Sequence, residues 1–113
     1  MKTPVNLLFI CSRNQWRSPT GEAIFRKHPD YNARSAGTSP KAKRTVNASD
    51  VSWADIILVM EKKHKSRLAD QFKRMLDHKS IYILDIPDDY GYMDEELISE
   101  IEARVDPILN QTE

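Results

Sequence analysis

The chain has 113 residues, and its 17 basic side chains balance 17 acidic ones, a composition that argues against binding to nucleic acid. This length suits one compact domain, residues 1–113, whose apolar core needs no disulfide or metal to be stable. Because Cys11 is the single cysteine, an internal disulfide and a cysteine-rich zinc site are excluded, and we expect no metal, no cofactor and a reduced, cytoplasmic compartment.

Apolar runs and helical periodicity predict alternating strands and helices. In chain order, these are a strand at 5–11, a helix capped by Ser18 and begun by Pro19, a short strand at 33–36, a strand at 55–60, a helix at 61–77, a strand at 81–84 and a helix capped by Asp94. Pro107 is expected to kink or end the last helix. Asn6 interrupts the first apolar run, which argues against a signal peptide, and no segment is long enough to cross a membrane.

The balanced charge hides a division of the chain into two oppositely charged segments. Residues 1–79 carry 16 basic and 7 acidic side chains, a net charge of +9, whereas residues 80–113 carry 1 and 10, a net charge of −9. Such a division can mark a basic partner or an anionic substrate. Because the acidic segment also has an apolar face, we favour the simpler interpretation that it packs beside the basic segment.

The order of the elements predicts an α/β fold with four parallel strands in an open sheet and helices on both faces. In such sheets, ligands bind beyond the carboxyl ends of the strands. Cys11 stands at the end of the first predicted strand, directly before a tight turn into the first helix. This position makes Cys11 a candidate functional residue.

The segment from Cys11 to Arg17 has the features of an anion-binding loop. A chain that turns this tightly can direct successive N–H groups to one centre, and the following helix adds positive potential there. Arg17 can grip two oxygens of a phosphate with its planar guanidinium. The same positive potential favours the thiolate form of Cys11, which is the nucleophilic form.

A thiolate beneath an oxyanion cradle indicates nucleophilic attack on phosphorus, with a cysteinyl-phosphate that water then hydrolyses. The leaving alcohol needs a proton from an acid on another loop, and the carboxyl-rich segment 85–90 follows the fourth strand at the same edge of the sheet. The spacing of cysteine and arginine is not specific by itself, because a single cysteine is often an inert buried side chain.

Several motifs in one order resemble the low-molecular-weight protein tyrosine phosphatase family, and the chain resembles a short, divergent, bacterial-type member. The motifs are the segments 8–11, 17–19, 35–38, 53–60 and 86–88, together with Asn14. The resemblance runs nearly from end to end and implies a four-stranded parallel sheet flanked by helices. It also implies that Cys11 is the nucleophile, Arg17 the phosphate clamp and Asp88 the general acid.

The resemblance extends to residues that support these three. The phosphate-binding loop would consist of Cys11 followed by Ser12, Arg13, Asn14, Gln15, Trp16, Arg17 and Ser18. Within it, Ser18 would hydrogen-bond the thiolate, and Asn14 would adopt a left-handed turn with Ser35 as its hydrogen-bond partner. Tyr90 matches an aromatic residue that lines the substrate cleft in the family.

Four features depart from the family pattern. Arg13 replaces a usual glycine and could favour substrates with additional negative charge. Trp16 replaces a second cysteine, so oxidised Cys11 would lack a resolving partner; the tryptophan would pack beneath the loop or form an aromatic rim. Asp89 replaces the proline after the acid, so the two acids could share the role or repel each other, and we favour Asp88. The chain is also shorter than usual, which predicts an open site.

The resemblance implies a phosphomonoester hydrolase, in particular a protein tyrosine phosphatase. Alternatives are an arsenate reductase that uses an external thiol and a phosphate-binding module without turnover; within the enzyme class, phosphoarginine is a further substrate that Gln15 could influence. Expected ligands are a phosphorylated protein or small phosphomonoester, or inorganic phosphate or sulfate. The basic run at 41–44 is expected to be a solvated loop, and His28, His64 and His78 to lie at the surface.

Overall fold

The structure is a computed structural model that describes residues 4–111. Its elements are β1 (Val5–Cys11), α1 (Arg17–Arg26), β2 (Tyr31–Gly37), α2 (Ala48–Trp53), β3 (Ile56–Val59), α3 (Lys62–Phe72), a 3-10 helix (Lys73–Leu76), β4 (Ser80–Ile83) and α4 (Glu95–Gln111). The two ends of the predicted domain, residues 1–3 and 112–113, lie outside the described residues.

The four strands form one parallel sheet in the order β2-β1-β3-β4, which confirms the predicted fold class. The two most apolar strands, β1 and β3, are internal, and β1 has β2 and β3 as its partners. A strand with neighbours on both sides and helices on both faces must be apolar along most of its length. Cys11, at the end of β1, pairs with Gly37 at the end of β2, so both residues lie at the carboxyl edge of the sheet.

Alternate residues of β1 enter two separate apolar cores. Leu7 and Phe9 pack in the core that α1 and α4 cover, together with Phe25 and the α4 stripe of Leu97, Ile101, Val105 and Leu109. Leu8 and Ile10 pack in the core that α2 and α3 cover, with Val51 and Leu68. Because successive side chains of a strand point to opposite faces, β1 has apolar side chains on both faces, and helices cover each of them.

The first helix begins earlier than its sequence indicates. Trp16 occupies the N-cap position and Arg17 is the first helical residue, so the prediction that Ser18 caps the helix is wrong. Ser18 lies within the first turn because its hydroxyl contacts Cys11. Pro19 is still tolerated there, since the first turn of a helix has no acceptors for its N–H groups.

The second helix is absent from the sequence-based prediction, although its start carries a recognisable signal. Asn47 and Asp50 form a reciprocal capping box, in which each side chain accepts from the other residue's backbone N–H. Asp50 is completely buried and also pairs with Arg34 and Arg44. The helix was missed because it is only 6 residues long and has no extended apolar stripe.

The last two helices differ at their ends from the prediction. Helix α3 ends at Phe72 and continues as a 3-10 helix to Leu76, instead of running unbroken to residue 77. Helix α4 begins after Asp94, which caps it as predicted through a 2.8 Å hydrogen bond from the N–H of Glu96 to Asp94 Oδ1. It continues through Pro107 to Gln111, so the proline does not end it, and Leu109 beyond the proline remains buried in the core.

The two charged helices lie on opposite faces of the sheet. The basic helix α3 covers the second core, whereas the acidic helix α4 packs with α1 over the first. An ion pair that does join the basic and acidic segments connects Arg17 with Asp88 at the carboxyl edge. The acidic segment does pack against the basic one, as the sequence analysis favours: β4 pairs with β3, and α4 packs on α1 over the first core. Within residues 4–111, no helix is both long and apolar enough to cross a membrane.

Candidate functional site

Cys11 lies at the floor of a small cavity at the carboxyl end of β1, and only 3% of it is exposed. Residues 12–16 turn from β1 into α1 through consecutive bends and form most of the cavity wall. The lining consists of Cys11, Ser12, Arg13, Gln15, Trp16, Arg17 and Asp88. The structure thus brings the proposed phosphate-binding loop and the proposed acid, Asp88, to one opening.

The segment after β2 holds this loop from its outer side. The carbonyl oxygens of residues 11, 12 and 13 accept hydrogen bonds of 3.0, 2.9 and 3.1 Å from the N–H groups of residues 38, 39 and 43. Gly37 permits this close approach, since a Cβ there would lie 2.5 Å from the carbonyl oxygen of Ser12. Within the described chain, the N–H groups of residues 12–16 have no acceptor, so they are free to bind an anion.

The turn itself depends on Asn14. Its φ of 56° places it in the left-handed region, which asparagine tolerates better than most residues. Its side-chain Nδ2 donates to Ser35 Oγ over 2.9 Å, which is the contact expected from the sequence, and to Ser18 Oγ over 2.9 Å. Arg13 lies outside the left-handed region, so the loop accepts a side chain where the family usually has glycine. This side chain is exposed at the rim of the cavity.

A chain of hydrogen bonds connects Cys11 with the carboxylate of Glu22. Ser35 Oγ donates to Glu22 Oε1 and accepts from Asn14 Nδ2. Ser18 Oγ also accepts from Asn14, so its hydroxyl hydrogen is free to point at Cys11 Sγ, 3.0 Å away. A hydroxyl donor at this distance stabilises an anionic sulfur.

Arg17 is almost completely buried, and three groups fix its guanidinium. Nη1 donates to Glu61 Oε2 over 2.7 Å and to the carbonyl oxygen of Ile86 over 2.8 Å, which uses both of its hydrogens. Asp88 Oδ1 lies 3.7 Å from Arg17 Nε. Because Nη1 is occupied, the edge formed by Nε and Nη2 remains for an oxyanion, and this edge matches two phosphate oxygens.

The loop that carries Asp88 is fixed at its base by contacts to the sheet and to α4. Asp85 has a φ of 59°. On either side of it, the N–H of Leu84 donates to the carbonyl oxygen of Val59 in β3, and the N–H of Ile86 donates to the carbonyl oxygen of Met60. Arg104 of α4 donates through Nη1 to the carbonyl oxygens of Leu84, at 2.7 Å, and Asp85, at 3.1 Å. The left-handed turn therefore directs the carbonyl group of Ile86 to Arg17.

The structure distinguishes the two adjacent acids. Both side chains are exposed, but Asp88 lines the cavity above Cys11 and forms the ion pair with Arg17, whereas Asp89 is not part of this lining. Asp88 therefore remains the predicted general acid.

The aromatic residue at the cavity is not the one that the resemblance implies. Tyr90 is half-buried against the first core and does not belong to the cavity lining. Burial, together with the nearby carboxylates of Glu96 and Glu100, raises the pKa of Tyr90. Trp16, which is 45% exposed, lies in the lining and forms the aromatic rim. The side chain of Tyr90 turns inward because the adjacent core offers it apolar contacts.

The structure adds Glu61 and His64 to the site, two residues that the sequence analysis did not identify. His64 is completely buried, so the expectation of a surface position is wrong for it; His28 and His78 are exposed. The N–H of Glu61 donates to His64 Nδ1 over 3.0 Å, and His64 Nε2 therefore carries the hydrogen that reaches Ser12 Oγ, 2.9 Å away. The reciprocal cap at the start of α3 was a signal for this pair.

The surroundings of Glu61 and His64 lower the pKa of both side chains. Burial, with the charges of Arg17, Lys63 and Arg67, lowers the pKa of His64 to about 4, although Glu61 opposes this effect. Burial alone would raise the pKa of Glu61, but the hydrogen bond and charge of Arg17 lower it below the usual value. His64 is thus neutral at neutral pH and Glu61 is charged.

We expect the protein to lose stability as the pH falls from about 6.5 to about 4, because unfolded His64 binds a proton in this range and the folded residue does not. Below the folded pKa this loss amounts to roughly 3 kcal/mol. Urea unfolding across this pH range measures it. In the variant His64→Asn the pH slope should become shallower, whereas His78→Asn, at an exposed position, should keep the slope of the native protein. An unchanged slope in His64→Asn would contradict the assignment.

Within residues 4–111, no group of three or more His, Cys, Asp and Glu side chains is arranged to hold a metal ion.

Comparisons with known proteins identify relatives with this arrangement of elements. No protein-family model matches the chain. The protein-arginine-phosphatase of Bacillus subtilis (strain 168) is 31% identical over 100 residues, and the alignment covers 65% of this chain and 67% of the relative.

Two solved structures show the same fold. The tyrosine phosphatase Wzb from Escherichia coli K30, in complex with phosphate, superposes with a TM-score of 0.76 at 20% identity and covers 96% of this chain and 99% of its own. The low-molecular-weight protein tyrosine phosphatase SP-PTP from Streptococcus pyogenes also has a TM-score of 0.76, at 17% identity, and covers 95% of this chain and 92% of its own.

The fold, the order of the motifs and the curated relative agree with one another. The sequence-based resemblance is confirmed, and the chain belongs to the low-molecular-weight protein tyrosine phosphatase family, whose members are cysteine-dependent protein phosphatases.

Proposed function

We propose that this chain hydrolyses phosphorylated side chains of proteins, with phosphotyrosine as the first candidate substrate, through a cysteinyl-phosphate on Cys11. The observation that supports it most directly is the surrounding of Cys11 Sγ. A hydroxyl donor, Ser18 Oγ, lies 3.0 Å away, and the N–H groups of residues 12–16 have no acceptor among the described residues. Among the same residues, the Nε–Nη2 edge of Arg17 makes no hydrogen bond, and Asp88 Oδ1 lies 3.7 Å from Nε. These groups stabilise the negative charge on the equatorial oxygens of a transferring phosphoryl group.

Two steps complete the reaction. In the first, the thiolate of Cys11 forms a bond to phosphorus as the bond from phosphorus to the phenolic oxygen breaks, and Asp88 gives its proton to that oxygen. In the second, Asp88 accepts a proton from water, whose oxygen attacks phosphorus, and the sulfur–phosphorus bond breaks. Inorganic phosphate leaves and the thiolate is restored, with Ser18 as its hydrogen-bond donor.

The general-acid role predicts different effects for the two adjacent acids. We expect Asp88→Asn to lower kcat by about 10²-fold or more for alkyl phosphates and phosphotyrosine peptides, because a poor leaving group needs protonation. The loss should be smaller for p-nitrophenyl phosphate, whose leaving group is more acidic. Asp89→Asn is the matched control and should change kcat little. Equal losses in both variants would reject the choice of Asp88.

Phosphoarginine is the second candidate substrate, because the curated relative with 31% identity is a protein-arginine-phosphatase. The reaction would follow the same two steps, with a guanidine nitrogen in place of the phenolic oxygen. Comparison of kcat/KM for matched phosphotyrosine and phosphoarginine peptides decides between the two substrates.

The proposal is tested by steady-state hydrolysis of p-nitrophenyl phosphate and by acid quenching during turnover, followed by mass spectrometry of the peptide that contains Cys11. Turnover with phosphate attached to Cys11 is the expected result. Binding of inorganic phosphate without turnover would instead indicate a phosphate-binding module. Because Cys11 is the single cysteine, we also propose a reducing, cytoplasmic compartment, where the thiol persists.

A further inference from the structure

A second cleft lies beside the cavity above Cys11 and shares part of its wall. Its lining consists of Asn14, Gln15, Trp16, Pro19, Glu22, Ser35, Lys43 and Tyr92. Gln15 and Trp16 line both openings, so the second cleft lies directly beside the position that a phosphorylated residue above Cys11 would occupy.

Exposed aromatic side chains are concentrated at this cleft. Of the three large apolar side chains that are exposed within residues 4–111, Trp16 at 45% and Tyr92 at 56% line it, and Ile83 does not. Large apolar side chains that remain exposed together mark binding surfaces. Trp and Tyr in particular contribute apolar area and are enriched at such sites.

The backbone beside each of these two aromatic residues is fixed by the same buried threonine. Thr20 Oγ1 donates to the carbonyl oxygen of Trp16 over 2.6 Å and accepts from the N–H of Met93 over 2.9 Å. Met93, the neighbour of Tyr92, adopts a left-handed φ of 59°. The positions of Trp16 and Tyr92 are therefore coupled through one side chain, and less ordering is needed when a ligand binds between them.

The charges of the cleft favour a ligand with an acidic group. Glu22 pairs with Arg26 at 3.5 Å and accepts from Ser35, so its charge is already balanced. Lys43 forms no ion pair within the described residues. An unpaired ammonium group in the wall of the cleft that also holds two aromatic side chains is suited to a carboxylate that follows an apolar side chain.

We propose that this cleft is a substrate subsite for phosphorylated proteins. It binds a large apolar side chain that flanks the phosphorylated residue, between Trp16 and Tyr92, and Lys43 pairs with an acidic residue adjacent to it. This inference rests on the proposed function, because the phosphorylated residue must occupy the cavity above Cys11.

The test measures binding of short phosphotyrosine peptides to the variant Cys11→Ser, which can bind but not turn over efficiently. The reference peptide has alanine at every flanking position, and single leucine or phenylalanine residues are placed at each position in turn. In the background Trp53→Phe, Trp16 is the single tryptophan and reports burial through its fluorescence. We expect one flanking position to tighten binding by about tenfold, with a blue shift of the Trp16 emission.

Variants of the cleft identify the site of this preference. Tyr92→Ala should reduce the apolar preference to less than about twofold, and Lys43→Ala should remove the gain from an adjacent aspartate. Ile83→Ala, which removes the third exposed apolar side chain, is the matched control and should leave both preferences intact.

The outcomes separate this inference from the proposed function. Equal binding of all peptides, no measurable binding, or a preference that survives Tyr92→Ala overturns the subsite, even when the native protein hydrolyses p-nitrophenyl phosphate. A preference for one flanking residue that depends on Tyr92 supports the subsite. If the native protein shows this preference but does not hydrolyse p-nitrophenyl phosphate, the chain is a phosphoprotein-binding module instead of a phosphatase.

Discussion

Replacing Cys11 with serine is expected to lower kcat/KM for p-nitrophenyl phosphate by about 10⁴-fold or more. A serine hydroxyl is a much weaker nucleophile than a thiolate in the absence of an adjacent base, and within the described residues the side chain that contacts Cys11 Sγ is the hydroxyl of Ser18. Steady-state kinetics of the native protein and the variant measure the loss.

The same variant should still bind inorganic phosphate, because the N–H groups of residues 12–16 and the edge of Arg17 are unchanged. Isothermal titration with phosphate is the control, and a native-like thermal unfolding midpoint verifies the fold. Turnover in Cys11→Ser within tenfold of the native value would mean that Cys11 does not form the bond to phosphorus.

Replacing Arg17 with lysine is expected to lower kcat by about 10²- to 10³-fold although the charge is kept. The guanidinium holds Glu61 and the carbonyl group of Ile86 with Nη1 and keeps a second edge for the phosphoryl oxygens. A lysine ammonium is a single point charge and cannot serve both sides. Kinetics with p-nitrophenyl phosphate over a range of concentrations separate the effect on kcat from that on KM.

Arg74→Lys provides the matched control for this experiment, because Arg74 lies in the 3-10 helix, is exposed and is not part of the cavity lining. It should keep the native kcat. If Arg17→Lys also retained native kcat, charge alone would be sufficient and the two-sided geometry of the guanidinium would have no catalytic consequence. If circular dichroism shows that Arg17→Lys does not fold, the variant Glu61→Gln replaces it. This variant weakens one contact of the Arg17 guanidinium but keeps the charge of Arg17. We expect a smaller loss of kcat in Glu61→Gln than in Arg17→Lys.

Contacts between residues close in sequence explain why the loop could be predicted. Strand β1, the bends of residues 12–16 and the start of α1 are continuous, and the contact of Cys11 with Ser18 spans only seven positions. The left-handed turn at Asn14 is also a local property. The helix start was misplaced by two residues, because the hydroxyl of Ser18 contacts Cys11 instead of capping the helix.

The chain by itself determined the strand–loop–helix unit that carries Cys11 and Arg17 and the apolar runs that make a parallel sheet. Only the tertiary structure decided which distant groups meet this unit: Arg17 contacts Glu61 and Ile86, which are 44 and 69 positions away, and His64 reaches Ser12 across 52. The sheet order and the turn at Asp85 decide these contacts, since they set which loops share the carboxyl edge. For the same reason, Asp88 rather than Asp89 lines the cavity, and Trp16 and Tyr92 share one cleft.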